Sequence, residues 1–287
     1  MNTNGNAYTV IYTTVVVALV AAILAFVAMT LKPKQDANIK AETISQMLTA
    51  AQFYTKDECS AMGNDKVLEA YSQNIKEAYT INADGQKVRD LSTDVKNIEL
   101  QDGLKAQNKN IKDGKDLDLP VYVFDKDGKS VTVIPAYGAG LWGAIWGYIA
   151  LDEDLQTIVG AYFDHESETP GLGAKIKDDP SFRAEFIGKK VNVAVDPAFS
   201  VVKVGSNANP ENSVDAITGA TMTSKGLGEA IAFWLKAYAP FLSSAAPAKE
   251  CCGGNGGECD GSKPCCSESS EAGCCSDSSA VKCPVTE

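Results

Sequence analysis

Near its amino terminus the chain carries an uninterrupted apolar run. Residues Val10 to Leu31 contain no charged side chain, and a helix of this length would cross about 30 Å of hydrocarbon. The run is long for the apolar part of a signal peptide, follows no Lys or Arg, and lacks a clear small-x-small cleavage site. The pattern therefore predicts a transmembrane helix over residues 10–31, after a short segment of residues 1–9.

The pattern changes to helical spacing after Pro33. Apolar residues between Ile39 and Ala51 recur near the period of an amphipathic helix, and a second helix is predicted over residues 65–79. Residues 80–118 are polar with little periodicity, which indicates a long loop or one further short helix.

The middle of the chain has the pattern of β-strands. Valines alternate with other residues on both sides of an Asp-Gly turn, which predicts a β-hairpin over residues 120–135. Runs rich in aromatic and β-branched residues predict further strands at 141–150, 157–163 and 191–204. A last helix is predicted over residues 225–242. Helices at both ends of a run of strands predict an α+β fold.

Composition adds a charge constraint and separates a carboxyl-terminal segment. The chain has 37 Asp and Glu against 26 Lys and Arg, a net charge of -11, and no basic cluster. This balance argues against a nucleic-acid partner. Eight of the nine cysteines follow Glu250, in a Gly- and Ser-rich segment nearly free of large apolar residues. Such a segment cannot bury a core, so residues 249–287 are predicted to be a disordered tail behind a domain of residues 32–248.

The cysteine spacing leaves several uses of this tail open. No C-x-x-C spacing occurs, which argues against a zinc ribbon or a ferredoxin-type cluster, and no metal site is predicted. The alternatives are an uncommitted tail, looser binding of soft metals or thiol buffering, and disulfides in an oxidising compartment. Cys59 is expected to be a packed or half-exposed thiol rather than a ligand.

Two stretches between the strands resemble functional loops. Gly138, Gly140 and Gly143 have the spacing of a dinucleotide fingerprint, but a strand rather than a helix is predicted to follow, so a Rossmann site is rejected. Trp142 is expected to form a wall of a pocket for a flat ligand, or simply to pack. Residues 165–176 contain the only histidine and form either a surface turn or a functional loop. A lone histidine is a poor zinc site, and no serine nucleophile with a matched base occurs, so no catalytic residue is predicted.

Residues 214–226 pass from a polar loop into the last helix. Thr223 and Ser224 are candidate N-caps of that helix. Gly219 permits a tight bend, which would place Thr221 near a helix amino terminus whose free N–H groups favour an anion. A phosphate group would be well held there.

Separated motifs carry a resemblance to a known family. The pattern Asp-x-x-Thr-Gly-Ala-Thr at residues 215–221, ETPGLG at 168–173 and GLWG at 140–143 resemble the FMN-binding domain family, in the expected order. LKPKQDANI at 31–39 and FWLKAYAPFL at 233–242 further resemble the C-subunit family of the Na⁺-translocating NADH:quinone oxidoreductases.

The resemblance, which covers roughly residues 8–245, implies a domain with a mainly antiparallel sheet flanked by helices. It implies that FMN is attached covalently to Thr221, the last residue of the first motif, through a phosphoester. The other residues that it places at the flavin are Trp142, Glu168, Thr169, Leu172 and Gly173 around the ring, Thr218, Gly219 and Ala220 in the attachment turn, and Lys225 near the phosphate. Asp215 would be recognised by a flavin transferase that takes FAD and releases AMP.

The resemblance also implies an electron-relay role at a membrane. As a subunit of the NADH:quinone reductase complex, the chain would take electrons from an iron–sulfur centre and pass them to another flavin. The family places its flavin domain on the outer, periplasmic side of the bacterial inner membrane, whereas Lys32 and Lys34 after the span favour the cytoplasmic side. We expect the outer side, because so few flanking charges orient a single span poorly.

Two alternatives remain open at this stage. One is the flavin subunit of a related ferredoxin-oxidising, ion-translocating complex, which shares the threonine motif. The other is a membrane-tethered metal- or thiol-binding protein that acts through the cysteine tail, with the domain as a scaffold.

Overall fold

The described part of the chain forms a run of strands with helices before, between and after them. The structure is a computed structural model and describes residues 5–91, 93–95, 98–206 and 211–244. Its helices are α1 (Asn6–Ala50), α2 (Lys56–Met62), α3 (Asn64–Asn74), α4 (Gln101–Asp113), α5 (Lys175–Asp178), α6 (Pro180–Ala184) and α7 (Thr221–Ser244). Its strands are β1 (Ile75–Ile81), β2 (Lys87–Asp90), β3 (Leu119–Lys126), β4 (Lys129–Ala139), β5 (Ala144–Leu151), β6 (Ile158–His165), β7 (Ser200–Val202) and β8 (Ser213–Asp215). The predicted α+β fold is confirmed.

Helix α1 joins the predicted transmembrane helix to the amphipathic helix that follows it. It runs for 45 residues without a break, with Pro33 in its interior. Residues 10–31 are exposed, and α1 is the only helix in the described part of the chain that is long and apolar enough to cross a membrane. From Ala41 to Ala50 the helix is buried almost throughout. One element therefore contains both the predicted span and a large contact with the domain.

The main sheet has six strands in the order β2-β1-β3-β4-β5-β6, and all neighbours are antiparallel. Strands β7 and β8 form a separate parallel pair. The turn between β3 and β4 consists of Asp127 and Gly128, whose φ angles are 55° and 83°. Two residues with positive φ are what a type I′ hairpin turn requires. The predicted hairpin is therefore confirmed. The next two predicted strands are confirmed as well and form β5 and β6.

The sheet is covered by helices through two apolar clusters. Helix α7 packs in one cluster, where Trp234 Nε1 donates a hydrogen bond to Tyr137 O at 2.8 Å and Tyr238 Oη donates to Pro120 O at 2.7 Å. The other cluster contains the end of α1, with Met47, and helices α2 and α3. Two buried polar groups in the middle and second half of α7 are thus bonded to strands β4 and β3, which fixes the helix against the sheet.

Three segments differ from the sequence predictions. The helix predicted over residues 65–79 ends at Asn74, and the chain continues as β1, because pairing with β3 outweighs the local helical pattern. Residues 80–118 contain the strand β2 as well as the predicted short helix, α4. Of the strand predicted over residues 191–204, only β7 forms, and most of the segment before it consists of turns.

Candidate functional site

Three segments of the chain meet in one cleft. They are the turn after β4, the loop between β6 and α5, and the start of α7. The cleft has a volume of about 180 Å³. It is lined by Leu141, Glu168, Thr169, Leu172, Gly173, Gly219, Ala220, Thr221, Met222 and Thr223. Residues from the separate motifs at 168–173 and 215–221 are therefore neighbours in space.

The start of α7 is a tight turn followed by free backbone N–H groups. Gly219 has a φ of 84°, a left-handed conformation that favours glycine. Thr221 is the first helical residue, and its side chain is exposed. The first N–H groups of a helix have no acceptor within it, and the helix dipole adds positive potential there. Thr221 thus lies where a phosphate group would be stabilised.

Thr223 and Ser224 were predicted as N-caps of α7, and this prediction is wrong because the helix begins before both of them. Ser224 Oγ accepts a hydrogen bond from Ile217 N at 3.0 Å, which closes the turn that precedes the helix. Thr223 Oγ1 instead donates to Glu168 Oε2 at 2.6 Å. Both side chains are buried and hold the cleft together.

Glu168 is the central polar group of the cleft, and its side chain is almost fully buried. Its Oε1 accepts a hydrogen bond from Trp142 N at 3.0 Å, and its Oε2 accepts the bond from Thr223. Its own backbone N donates to His165 Nδ1 at 3.1 Å. One carboxylate therefore connects the turn after β4, the loop after β6 and helix α7.

Glycines make this close arrangement possible. A Cβ on Gly140 would lie 2.3 Å from Glu168 Oε1, and a Cβ on Gly173 would lie 2.4 Å from Glu168 Oε2. Any side chain at either position would displace the carboxylate. Gly138 and Gly143 belong to the same β4–β5 hairpin, so no strand-to-helix turn of the Rossmann kind occurs there.

A buried polar network joins β6 to α1. Asp164 is 3% exposed, and its carboxylate accepts hydrogen bonds from Gln46 Nε2 at 2.7 Å and from Lys177 Nζ at 2.8 Å. Gln46 Oε1 in turn lies 3.3 Å from the donor Trp146 Nε1. The end of β6, from which the Glu168 loop begins, is thus bonded to the buried part of α1.

Three predicted site residues, Trp142, Thr218 and Lys225, are not among the residues that line the cleft. The side chain of Trp142 is 66% exposed, and only its backbone bonds to Glu168. Lys225 is exposed and pairs with Glu229 at 3.6 Å. Thr218 is exposed in the turn before α7. Their contacts with FMN stay predictions.

Asp215, predicted to be recognised by a flavin transferase, is the last residue of β8. Its backbone N donates to Glu185 Oε2 at 3.2 Å. Its Oδ1 is buried and has no hydrogen-bond partner among the described residues. Its role stays a prediction.

The sequence patterns did not indicate Leu141, Met222 and Thr223 as parts of the cleft. Leu141 and Met222 are 50% and 56% exposed although they are apolar. Their positions in the sequence could have indicated them as cleft residues, because Leu141 lies inside the GLWG motif and Met222 directly follows Thr221. They give the cleft an apolar rim.

The chain is similar to proteins of known type. Residues 140–236 match the FMN-binding domain family. The C subunit of the Na⁺-translocating NADH-quinone reductase of Vibrio parahaemolyticus is 30% identical over 237 residues, which are 77% of this chain and 88% of that protein. The same subunit of Pasteurella multocida is 39% identical over 127 residues, 43% of this chain, and the chain spans about half (48%) of that relative's length.

A solved structure is similar as well. The crystal structure of the C subunit of the Na⁺-translocating NADH-quinone reductase from Parabacteroides distasonis superposes with a TM-score of 0.61 at 33% sequence identity. The superposition covers 74% of this chain and 97% of that one. The fold described above is therefore that of a known protein type.

Proposed function

The chain belongs to the C-subunit family of the Na⁺-translocating NADH-quinone reductases, and we propose on this premise that it is a membrane-anchored, electron-carrying subunit of such a complex. We propose further that FMN is attached to Thr221 through a phosphoester. The observation that carries this proposal is the position of Thr221, which presents an exposed side chain at the first residue of α7 and lines the cleft.

The chain itself supplies the acceptor for this attachment. A flavin transferase would bring FAD, and the Thr221 oxygen would form a bond to the phosphorus of the FMN half. The pyrophosphate bond would break, AMP would leave, and the hydroxyl proton would be released. The N–H groups at the start of α7 favour the negative charge of the phosphate. Asp215, in the strand before this turn, is the residue that we propose the transferase contacts.

The residues near Thr221 fit FMN. Pockets that enclose a whole cofactor commonly measure about 300–1,000 Å³, so a cleft of about 180 Å³ would enclose only part of it. The remainder would lie against the exposed apolar side chains of Leu141, Leu172 and Met222, with Trp142 nearby. This role explains why these large apolar side chains are exposed together.

When bound, FMN supplies reversible electron transfer. Because a phosphoester leaves the ring system unchanged, the chain would tune the flavin by contacts from Glu168, Thr169, Leu172 and Gly173. A buried carboxylate beside the ring would disfavour additional negative charge there. Trp142 N and Thr223 Oγ1 hold that carboxylate in place.

We place the chain as a relay between an iron–sulfur centre and another flavin of the complex, on the outer side of the bacterial inner membrane. The exposed apolar residues 10–31 of α1 support anchoring in a membrane. The names of the relatives favour this complex over the ferredoxin-oxidising one. The metal- or thiol-binding alternative depends on residues 249–287, which lie outside the described residues, and it stays a prediction.

The attachment is tested with the Thr221→Ala variant, expressed in full length together with the transferase. We expect the flavin fluorescence that accompanies the wild-type chain on a denaturing gel to be absent from this variant, because no hydroxyl remains at the start of α7. Thr93→Ala is the matched control, since Thr93 is exposed in a bend outside the cleft. Fluorescence retained in Thr221→Ala would show that the flavin is attached elsewhere.

A further inference from the structure

A second and larger cavity lies between the end of α1, strand β6 and helices α5 and α6. Its volume is about 660 Å³, within the range of about 300–1,000 Å³ that is common for small-molecule sites. It shares no lining residue with the cleft at Thr221. The proposed flavin function does not use it.

One wall of this cavity is aromatic and has cations beside it. Phe53, Tyr54 and Tyr162 line it. The Nζ atom of Lys56 lies 5.7 Å from the centre of the Tyr162 ring, and the guanidinium carbon of Arg183 lies 5.0 Å from it. These distances are typical of cation–π contacts. A flat ligand would therefore meet both an aromatic surface and positive charge.

The cations differ in whether they are already paired. Lys56 bonds to Glu42, and Lys177 bonds to the buried Asp164. Arg183 has no carboxylate within 4 Å among the described residues, and its Nη1 donates to the backbone O of Lys177. A half-buried guanidinium with remaining N–H donors suits a carboxylate or phosphate group, which it can bind through two parallel hydrogen bonds.

Two hydroxyl groups of lining residues have no partner. Thr49 Oγ1 and Tyr162 Oη are buried without a hydrogen bond in the described part of the chain, and the two side chains are 7% and 0% exposed. Buried hydroxyls without partners destabilise a fold. Burial raises the pKa of Tyr162, the charge of Asp164 adds to this, and Arg183 opposes it. Tyr162 is therefore protonated and can donate to a ligand oxygen.

Carboxylates also line this cavity, but each of them is either exposed to solvent or bonded to a neighbouring residue. Asp57 and Asp178 are exposed to solvent, where water weakens their electrostatic effect. Glu58 accepts hydrogen bonds from Thr55 N and Thr55 Oγ1 at 2.7 and 2.9 Å. Among the described residues that line the cavity, Arg183 is thus a half-buried cation without a carboxylate partner.

The distance from the predicted membrane span determines where a ligand would come from. Thr49 lies 18 residues after Leu31 in the same helix, which corresponds to about 27 Å along the helix axis. A lipid headgroup would not reach the cavity across that distance. The ligand would therefore come from the aqueous phase.

We propose that this cavity binds a small aromatic anion, a molecule with a flat ring and a carboxylate or phosphate group. Arg183 binds the anionic group, and the half-buried side chains of Phe53 and Tyr54 bind the ring. The hydroxyls of Thr49 and Tyr162 bind further oxygens of the ligand.

The proposal is tested by titration calorimetry of the full-length protein in detergent micelles. Benzoate and phenyl phosphate represent the two anionic groups, phenol lacks the charge, and inorganic phosphate lacks the ring. We expect saturable binding of at least one aromatic anion, about tenfold or more tighter than binding of phenol or inorganic phosphate. The tighter-binding of the two aromatic anions shows whether the site prefers a carboxylate or a phosphate group.

Variants separate the site from general charge and from folding. Arg183→Met should weaken binding about tenfold or more, whereas Arg89→Met, the same change at an exposed arginine paired with Asp118, should leave it unchanged. Tyr162→Phe should weaken binding without lowering the Tm of the free protein, because its hydroxyl has no partner among the described residues. The Tm of each variant without ligand reports that it is folded.

Three results would overturn the proposal. They are an absence of saturable binding for both aromatic anions, equal binding by the two arginine variants, and binding of phenol or inorganic phosphate as tight as that of the aromatic anions. Wild-type affinity in the Tyr162→Phe variant would show that the Tyr162 hydroxyl does not bind the ligand.

Discussion

A buried glutamate is uncommon, because an ionised carboxylate loses much hydration when it leaves water. Glu168 compensates for this loss with donors from two other segments, Trp142 N and Thr223 Oγ1. Each donor would itself be unsatisfied without the carboxylate. The residue therefore determines the shape of the cleft in addition to any contact with a ligand.

Replacing Glu168 with Ala should be costly, because it leaves both donors without a partner. We expect the free energy of unfolding to fall by about 2–4 kcal/mol and flavin attachment to decrease. Glu168→Gln keeps an acceptor for Trp142 N, and the Thr223 hydroxyl can turn to accept from the amide, so it should lose less than half as much. Urea unfolding of the full-length chain in detergent gives both values. Equal losses for Ala and Gln would contradict the bridging role.

A methyl group at Gly173 should disturb the same carboxylate from the other side. Its Cβ would lie 2.4 Å from Glu168 Oε2 and 2.7 Å from Thr223 Oγ1. We expect Gly173→Ala to lower stability by about 1–3 kcal/mol and to reduce flavin fluorescence on a denaturing gel.

Gly188→Ala is a suitable control for this prediction. Nothing lies within 4 Å of a Cβ at Gly188, and its φ of +77° makes the substitution strained in the backbone alone. It should lose about 1–2 kcal/mol and keep normal flavin attachment. If both variants lost the flavin equally, the contact at Glu168 would not be the cause.

Of the proposed site, the sequence indicated Thr221 but not all of the residues that surround it. A motif and the anion preference of a helix start point to Thr221 as the flavin acceptor, which stays a prediction. Thr223 was misread as a cap, because cap preferences depend on the exact first residue of a helix and that boundary is poorly defined by sequence. Its bond to Glu168 joins residues 55 positions apart, which no local pattern predicts.

Among the secondary-structure elements, α1 contacts the sheet through Gln46 as well as through apolar side chains. The side chain of Gln46 is 2% exposed and bonds to Asp164 while accepting from Trp146 Nε1. In Gln46→Leu, a buried carboxylate loses a donor and the indole N–H loses its acceptor. We expect a loss of about 1–3 kcal/mol in the free energy of unfolding.

Gln73→Leu provides the comparison, because Gln73 is exposed and bonds only to the neighbouring Glu69 in the same helix. It should change stability by less than about 0.5 kcal/mol. The stability of both variants is measured by thermal unfolding in the same detergent. A Gln46 variant as stable as the Gln73 variant would show that α1 is held by apolar contacts alone.

Elements with strong local signals were predictable, and those formed by distant pairing were not. The β3–β4 hairpin depends on Asp127 and Gly128, whose turn preference is local. Strand β1 depends instead on pairing with β3 about 40 positions later, so its sequence was misread as the continuation of a helix. The edge strand β2 is entirely exposed and therefore lacks the alternation that would indicate a strand.

In the molecule as a whole, we expect the cleft to form without the cysteine tail. Every described residue that lines the cleft lies between Leu141 and Thr223. Deleting residues 249–287 should therefore leave covalent flavin and electron transfer through the complex unchanged, and Thr221→Ala in the shortened chain should abolish both. Flavin absorbance after acid precipitation and quinone reduction by the assembled complex are the measurements. Loss of electron transfer in the shortened chain with flavin still attached would favour a functional tail.

The side of the membrane on which the domain lies is testable through the same tail. Residues 249–287 contain no apolar run that could cross a membrane, so the tail and the flavin domain lie on one side if α1 is the span. We expect the tail cysteines of intact spheroplasts to react with a membrane-impermeant maleimide after reduction with an impermeant phosphine. Reduction is needed because outer-side cysteines can form disulfides.

Cys59 provides the internal control for this experiment. It is 3% exposed, as predicted for a packed thiol, so the chain without residues 249–287 should remain unlabelled. Because burial shields Cys59, any label on the full chain reports the tail. Labelling that appears only after the spheroplasts are lysed would place the domain in the cytoplasm, on the side that Lys32 and Lys34 favour. That outcome would leave the cleft unchanged but would contradict the proposed position of the domain on the outer side of the membrane.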